Sequence, residues 1–224
     1  MLDEGNYRRR GELVLSDVNL SVNKGEMVYF IGRVGSGKSS LLRTLYAEMP
    51  LLEGEASVAG FDLATIRRRD IPMLRRRLGI VFQNYRLLTD RNVFDNLHFV
   101  MKATGWKHEG DMRKRIDEVL TITGLQNKAY KMPYELSGGQ QQKLAIARAL
   151  INNPEVILAD EPTGNLDPTA ADEIMNLFRG IVEGGCAIVM STHNIANIEQ
   201  FPGRTFRFGK GKVVEVDINA VLAS

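Results

Sequence analysis

A chain of 224 residues with 44% hydrophobic and 25% charged side chains is long enough to bury a core and has an ordinary globular composition. Its formal net charge of +2 is too small to favour nucleic acid, and no apolar run approaches the roughly 20 residues that span a bilayer. The single cysteine, Cys186, excludes an intrachain disulfide framework. Because the first residues do not resemble a secretion signal, the composition predicts a soluble intracellular domain.

The first third of the chain alternates short strands with helices, which predicts an α/β fold. Residues 1–10 contain no clear strand. Strands are predicted at 14–22, 27–31, 56–58 and 78–82, and helices at 38–49 and within the arginine-rich segment 67–77.

From about 84 to 152 the pattern is helical, and strands return afterwards. Residues 112–123 and 144–151 each place apolar side chains on one helical face. Further strands are predicted at 156–159, 186–190 and 205–216, the last as a hairpin, with a helix over 171–182. We therefore expect one domain whose sheet core, 1–84 and 153–224, is interrupted by a helical subdomain at 85–152.

The segment GRVGSGKS at 32–39 lies between a predicted buried strand and a predicted helix. It fits G-x-x-x-x-G-K-[ST], in which glycines let successive N–H groups point at a phosphate. Lys38 would reach the β- and γ-phosphate oxygens, and Ser39 offers a hydroxyl to Mg²⁺. The predicted nucleotide-binding residues here are Gly32, Arg33, Val34, Gly35, Ser36, Gly37, Lys38, Ser39 and Ser40.

A second element of the same chemistry is VILADE at 156–161. Its apolar run places Asp160 at a strand end, where a carboxylate can hold Mg²⁺. Glu161 follows at once and could orient and deprotonate an attacking water. The pair favours hydrolysis, although transfer of the phosphate to a substrate stays open.

A second glycine motif, LSGGQ at 136–140, precedes a helix. Helix N-termini attract anions, so this helix start is suited to bind a phosphate. That site would be additional to the phosphate site already formed by the loop at 32–39. The residues alone leave open whether that phosphate belongs to the same nucleotide or to one held by another chain.

Six motifs together resemble the ATP-binding cassette (ABC) ATPases over nearly the whole chain, and they stand in the family's order. They are GRVGSGKS, Gln83 in IVFQ, LSGGQ, LADE at 158–161, NLD at 165–167 and STH at 191–193. The resemblance implies a P-loop NTPase fold with a mixed sheet core, a β subdomain and an inserted helical subdomain. It also implies ATP and Mg²⁺ as cofactors and an ATP-dependent homodimer.

The resemblance also implies roles for single residues. Gln83 would contact Mg²⁺ or the attacking water, and His193 the γ-phosphate. Asp167 would bridge to the opposite subunit, or it could instead cap the helix that follows it. The alternative for His193 is a structural hydrogen bond. Tyr7 is the candidate for stacking on adenine, or else a surface tyrosine. Ser137, Gly138, Gly139 and Gln140 would close over ATP held by a second chain. The implied catalytic residues are Lys38, Gln83, Glu161 and His193, and the implied metal ligands are Ser39, Gln83 and Asp160.

Within the family, LADEPTGNLD resembles the branch of lipoprotein-releasing, macrolide-exporting and cell-division ATPases, and residues 72–97 look most like the cell-division members. This implies an integral membrane partner contacted through residues 87–96, a position on the cytoplasmic face of the bacterial inner membrane, and indirect control of cell-wall hydrolases. The alternatives are an exporter ATPase subunit, or a soluble ABC protein acting on nucleic acid or ribosomes.

Three local features depart from the family or lack a motif. Asn194 stands where an aspartate is usual and is expected to cap the next helix. Lys143 stands where the signature helix often has arginine. The arginine runs at 8–10, 67–69 and 75–77 are either solvated faces or contacts for acidic lipid or an acidic partner.

Overall fold

A computed structural model of the chain describes residues 7–9, 12–16 and 18–218. Its strands are β1 (Tyr7–Arg9), β2 (Glu12–Leu15), β3 (Met27–Gly32), β4 (Ser57–Val58), β5 (Phe61–Asp62), β6 (Leu78–Val81), β7 (Val156–Asp160), β8 (Ala187–Ser191), β9 (Arg204–Gly209) and β10 (Lys212–Val216). Its helices are α1 (Lys38–Leu45), α2 (Ile71–Arg76), α3 (Val93–Ala103), α4 (Glu109–Ile122), α5 (Gly138–Leu150), α6 (Pro168–Glu183) and α7 (Ala196–Gln200), with 3₁₀ turns at Gln126–Lys128 and Pro133–Glu135.

Six strands form the main sheet in the spatial order β10-β9-β3-β8-β7-β6. All neighbours are parallel except β10, which pairs antiparallel with β9. Two small antiparallel sheets, β1-β2 and β4-β5, lie outside it. The predicted α/β fold with a mixed sheet is confirmed. Parallel strands bury both faces, which explains why β3 and β8 consist largely of buried apolar residues.

Helices α3, α4 and α5 follow β6, and residues 82–155, all of them described, contain no strand. Their apolar faces meet in one core, in which Leu97, Met112, Ile116 and Leu144 are fully buried. The division of the chain into an ATP-binding core and a signature subdomain stays a prediction.

Four predictions about the elements were wrong. Backbone pairing with β2 makes β1 a strand, although its residues show no apolar alternation. The strand expected at 14–22 ends at Leu15. The helix expected to reach residue 49 ends at Leu45, because Ala47 takes a left-handed φ of 54°. In the arginine-rich segment, α2 begins only at Ile71, with a proline in its first turn.

Two arginines of the 75–77 run, Arg75 and Arg77, make hydrogen bonds within the fold. Arg75 Nε donates to the Tyr46 carbonyl (3.0 Å) and its Nη2 to the Ala47 carbonyl (3.2 Å). Arg77 Nη1 donates to the Ala59 carbonyl (3.0 Å). These contacts support a structural interpretation of Arg75 and Arg77 over lipid contact.

Candidate active site

The predicted phosphate, metal and catalytic residues meet where neighbouring parallel strands end. Strands β3, β8 and β7 are adjacent, and Asp160 at the end of β7 lies opposite Ser191 at the end of β8. Ligands in open α/β sheets bind at such carboxyl ends, because the loops that follow the strands converge there.

The loop between β3 and α1 leaves a space that fits a phosphate group. Gly35 has a φ of +80°, and no atom lies within 4 Å of the position that a Cβ would take, so the space beside its backbone is open. Gly37 is packed closely, because a Cβ there would lie 2.9 Å from Leu15 Cδ2. The buried Ser36 hydroxyl has no hydrogen-bond partner among the described residues. A phosphate oxygen would satisfy that donor, so the cradle fits a nucleotide.

Lys38 is buried, and its ammonium group curls over the loop. Nζ donates to the carbonyls of Gly32 (2.7 Å) and Arg33 (3.2 Å) and lies 3.4 Å from His193 Nε2. Burial lowers the pKa of Lys38, and the charges of Glu161 and Asp160 partly offset that shift. A phosphate could replace the two carbonyls as the partner of this desolvated cation.

Ser39 and Asp160, two of the three predicted metal ligands, are hydrogen-bonded to each other. Ser39 Oγ donates to Asp160 Oδ1 over 3.0 Å, and Ser191 Oγ donates to the same oxygen over 2.5 Å. Hydroxyl and carboxylate oxygens suit Mg²⁺, which retains waters and binds with substrate phosphates. The described residues contain no cluster of three or more His, Cys, Asp or Glu side chains suited to a metal ion.

Glu161 and His193, two of the predicted catalytic residues, lie side by side. His193 Nε2 lies 3.0 Å from Glu161 Oε1, and the His193 backbone N–H donates to Glu161 Oε2 over 3.3 Å. Glu161 has a left-handed φ of 48°, and its N–H donates to the carbonyl and hydroxyl oxygens of Ser191, both at 3.1 Å. Burial raises the pKa of Glu161, against the lowering effect of His193 and Lys38. A carboxylate with a raised pKa is suited to accept a proton.

Gln83 follows β6 and is exposed, and among the described residues its side chain makes no hydrogen bond to Asp160 or Glu161. Its backbone carbonyl accepts from Asn165 Nδ2 over 3.3 Å. Gln83 is thus attached through its backbone to the loop after Glu161, while its predicted contacts with metal and water stay a prediction.

The signature segment forms a well-capped helix start with exposed donors. Ser137 caps α5: its hydroxyl accepts from the Gln140 N–H (3.3 Å), and Gln140 Oε1 accepts from the Ser137 N–H (3.2 Å). Ser137 and Gly138 are exposed, while a Cβ on Gly139 would lie 3.1 Å from Ala170 Cβ. The segment is available to a ligand from outside the chain.

Asp167 caps α6, accepting the Ala170 N–H at 3.0 Å, so the structural role left open by the sequence is present. Its contact with an opposite subunit stays a prediction.

Asn194 was expected to cap the next helix, and this was wrong: Ile195 is the N-cap of α7, and the Asn194 N–H donates to Thr192 Oγ1. Lys143 pairs with Glu173 at 2.6 Å. The Tyr7 side chain lies outside the described part of the chain, so adenine stacking also stays a prediction.

Sequence reasoning missed three residues that support the site. Ser191 orients Asp160 and Glu161, Asn165 holds the Gln83 carbonyl, and Arg148 holds the loop after Gln83. A hydroxyl at the end of a buried strand, two residues before His193, was the one available signal for Ser191. Asn165 and Arg148 act on backbone carbonyls, which leave no pattern in a sequence.

Comparison with known proteins decides the family. The family model described as "ABC transporter" matches residues 15–164. The chain belongs to the ABC transporter family. Among curated ABC relatives, the cell division ATP-binding protein FtsE of Streptococcus pneumoniae (strain D39) is 45% identical over 204 residues, covering 91% of this chain and 88% of the relative. The Escherichia coli K12 FtsE is 37% identical over 201 residues, covering 90% of both.

Among solved structures, this ABC chain is similar to a dimeric post-hydrolysis state of the ATP-binding cassette MJ0796 bound to ADP and Pi, with 32% identity, 97% coverage of both chains and a TM-score of 0.83. The predicted resemblance to the cell-division branch is confirmed: the chain is an FtsE-like ABC ATPase. Among the described residues, no helix has the length and apolar character needed to cross a bilayer.

Proposed function

We propose that this chain is the ATP-hydrolysing subunit of a membrane complex in which it drives a conformational change in an FtsX-like integral membrane protein. In this proposal the complex regulates cell-wall hydrolases during cell division, and the chain acts at the cytoplasmic face of the bacterial inner membrane. The observation that carries the proposal is 37–45% identity to FtsE proteins over about 90% of the chain.

The geometry supports a division of labour in ATP hydrolysis. Glu161 would accept the proton of the attacking water, and His193, 3.0 Å away, would hold that carboxylate and contact the γ-phosphate. Lys38 would exchange its carbonyl partners for phosphate oxygens. Ser39, Asp160 and Gln83 would hold Mg²⁺, which when bound neutralises charge on the β- and γ-phosphates.

A pair of chains would share two ATP molecules. The exposed Ser137 and Gly138 sit at the start of α5, where N–H groups and the helix dipole favour an anion. The loop at Lys38 already provides a complete cradle, so the signature residues of one chain would close over the γ-phosphate bound by the other. The similar MJ0796 cassette, which is dimeric and bound to ADP and Pi, supports this proposal.

Residues 87–102 provide a surface suited to a membrane partner. Arg91, Asp95, His98, Phe99 and Lys102 line a groove of about 320 Å³. Phe99 is 43% exposed, with the Arg91 guanidinium 4.4 Å from its ring centroid. An exposed aromatic next to an arginine is the composition of an interface anchor.

Co-purification from native membranes, followed by identification of the bound protein, tests the proposed function. We expect a membrane protein of the FtsX type to be recovered with the wild-type chain. Recovery of a lipoprotein-releasing or macrolide-exporting permease would support the exporter alternative and contradict the cell-division role. Recovery of ribosomes or nucleic acid would support the soluble alternative.

A further inference from the structure

Arg148 connects the signature helix to the loop that follows Gln83. It lies in the last turn of α5, the helix that begins after Ser137. Its Nη2 donates to the Tyr85 carbonyl over 2.7 Å, and its Nη1 donates to the Arg86 carbonyl. One guanidinium therefore binds two consecutive carbonyls only two and three residues beyond Gln83.

The Arg148 guanidinium is partly desolvated and depends on these carbonyls. Burial lowers the pKa of Arg148 to about 10, and the charge of Arg86 adds to that shift. Among the described residues, no carboxylate forms an ion pair with Arg148. Leaving a buried donor without an acceptor destabilises the folded state, so the guanidinium is expected to stay bound to the loop.

The loop itself has a backbone that needs such support. Tyr85 and Arg86 each have a φ of 50°, a left-handed conformation that non-glycine residues rarely adopt and that persists where surrounding contacts impose it. The Arg86 guanidinium lies 4.1 Å from the Phe82 ring centroid, and Asn165 holds the Gln83 carbonyl. Gln83 thus lies between two attachments, one to the loop after Glu161 and one to α5.

We propose that Arg148 is a positioning residue that sets Gln83 through the carbonyls of Tyr85 and Arg86. This inference rests on the proposed role of Gln83 at the metal and the attacking water. Because α5 begins directly after its N-cap Ser137, a shift of the signature helix on the partner's nucleotide would be transmitted to Gln83 in the same chain.

Arg115 provides a matched control at the same end of α5. Its Nη2 donates to the Leu150 carbonyl (2.6 Å) and its Nε to the Ile151 carbonyl (3.2 Å). It is thus also a guanidinium bound to two consecutive carbonyls, but it does not reach the Gln83 loop.

The test compares Arg148→Lys with Arg115→Lys for kcat, for KM of ATP, and for the Mg²⁺ concentration giving half-maximal activity. We expect kcat of Arg148→Lys to fall about 10- to 100-fold, since small misplacements of a reacting constellation have effects of that size. Its KM for ATP should stay within about twofold, because ground-state binding is intact, while its Mg²⁺ requirement rises. Arg115→Lys should lose similar thermal stability yet keep kcat. Equal kcat losses in both variants would overturn the proposal.

A double-mutant cycle with Gln83→Ala separates this inference from the proposed role of Gln83. If Arg148 acts through Gln83, adding Arg148→Lys to Gln83→Ala should change kcat by less than about twofold. Full additivity would overturn the positioning role. Unchanged kcat in Gln83→Ala alone would instead contradict the role of Gln83 on which it rests.

If Arg148→Lys does not fold, Tyr85→Gly provides the second variant. Glycine adopts the left-handed φ but also many other backbone conformations, so the loop should be less rigidly held in its present conformation. We therefore expect kcat to fall without a change in KM. An unchanged kcat in Tyr85→Gly would overturn the proposal.

Discussion

At the residue scale, Glu161 combines a strained backbone with a partly desolvated carboxylate. Its φ of 48° is held by the backbone and hydroxyl of Ser191, and its pKa is raised by burial. Strain and burial of this kind cost stability and persist at functional sites, where they orient a reacting group.

The substitution Glu161→Gln should lower the rate of phosphate release by about 100- to 10,000-fold, the usual contribution of a general base. Because the folded-state pKa of Glu161 is raised above its ordinary 4.5, the ionised carboxylate disfavours folding at neutral pH. The variant should therefore melt at or above the wild-type temperature at pH 7.

The melting advantage should diminish as the pH falls below 4.5, where the carboxyl is protonated in both the folded and unfolded states. Thermal unfolding across pH, beside a phosphate-release assay, checks both parts. Residual activity near that of the wild type, or a clearly lower melting temperature at pH 7, would show that Glu161 has another role.

Side chains that act through a patterned motif could be predicted from sequence, and those that act on backbone could not. Lys38, Asp160 and Glu161 were predictable because a nucleotide site needs those types beside a strand end. Arg148 binds two carbonyls in a loop with left-handed residues. Neither the positions of those carbonyls nor the backbone angles can be inferred from the residue types.

At the element scale, strongly periodic helices were predictable and marginal strands were not. The faces containing Met112, Ile116 and Leu144 are buried as their spacing predicted. Strand β1 exists through pairing with β2 and has only three residues. Local patterns do not report pairing between segments, so such short strands escape sequence analysis.

The loop and helix at 87–102 form the proposed contact surface for the membrane partner. Residues 87–96 are the predicted contact with the partner, and this range includes Leu88, Arg91 and Phe94. Phe94 is partly buried against the core and its ring stacks on His98, whereas Phe99 is exposed. Phe99 is therefore the better anchor, and substitution of Phe94 would disturb the core.

Phe99→Ala should weaken capture of the membrane partner about thirtyfold, because truncation of an interface anchor costs about 2 kcal/mol. Its ATP affinity should not change. Ile122→Ala is the matched control, since Ile122 is 51% exposed at the end of α4 and does not line the groove. A quantitative pull-down with both variants measures this, and equal capture by Phe99→Ala and wild type would place the partner elsewhere.

At the scale of the whole molecule, the chain has two features suited to phosphate, and the proposed function assigns them to nucleotides bound by two different chains. The loop at Lys38 forms a cradle within its own chain, and Ser137 presents a capped, exposed helix start. Two chains arranged head to tail would each complete the other's site.

We predict that the chain works as a nucleotide-dependent pair, and light scattering on Glu161→Gln tests this most directly. This variant should bind ATP and Mg²⁺ without turning ATP over, so the closed pair should accumulate. We expect its mass to double when ATP and Mg²⁺ are added and to return to that of one chain when they are removed. A mass that stays at one chain under saturating ATP and Mg²⁺ would contradict the account.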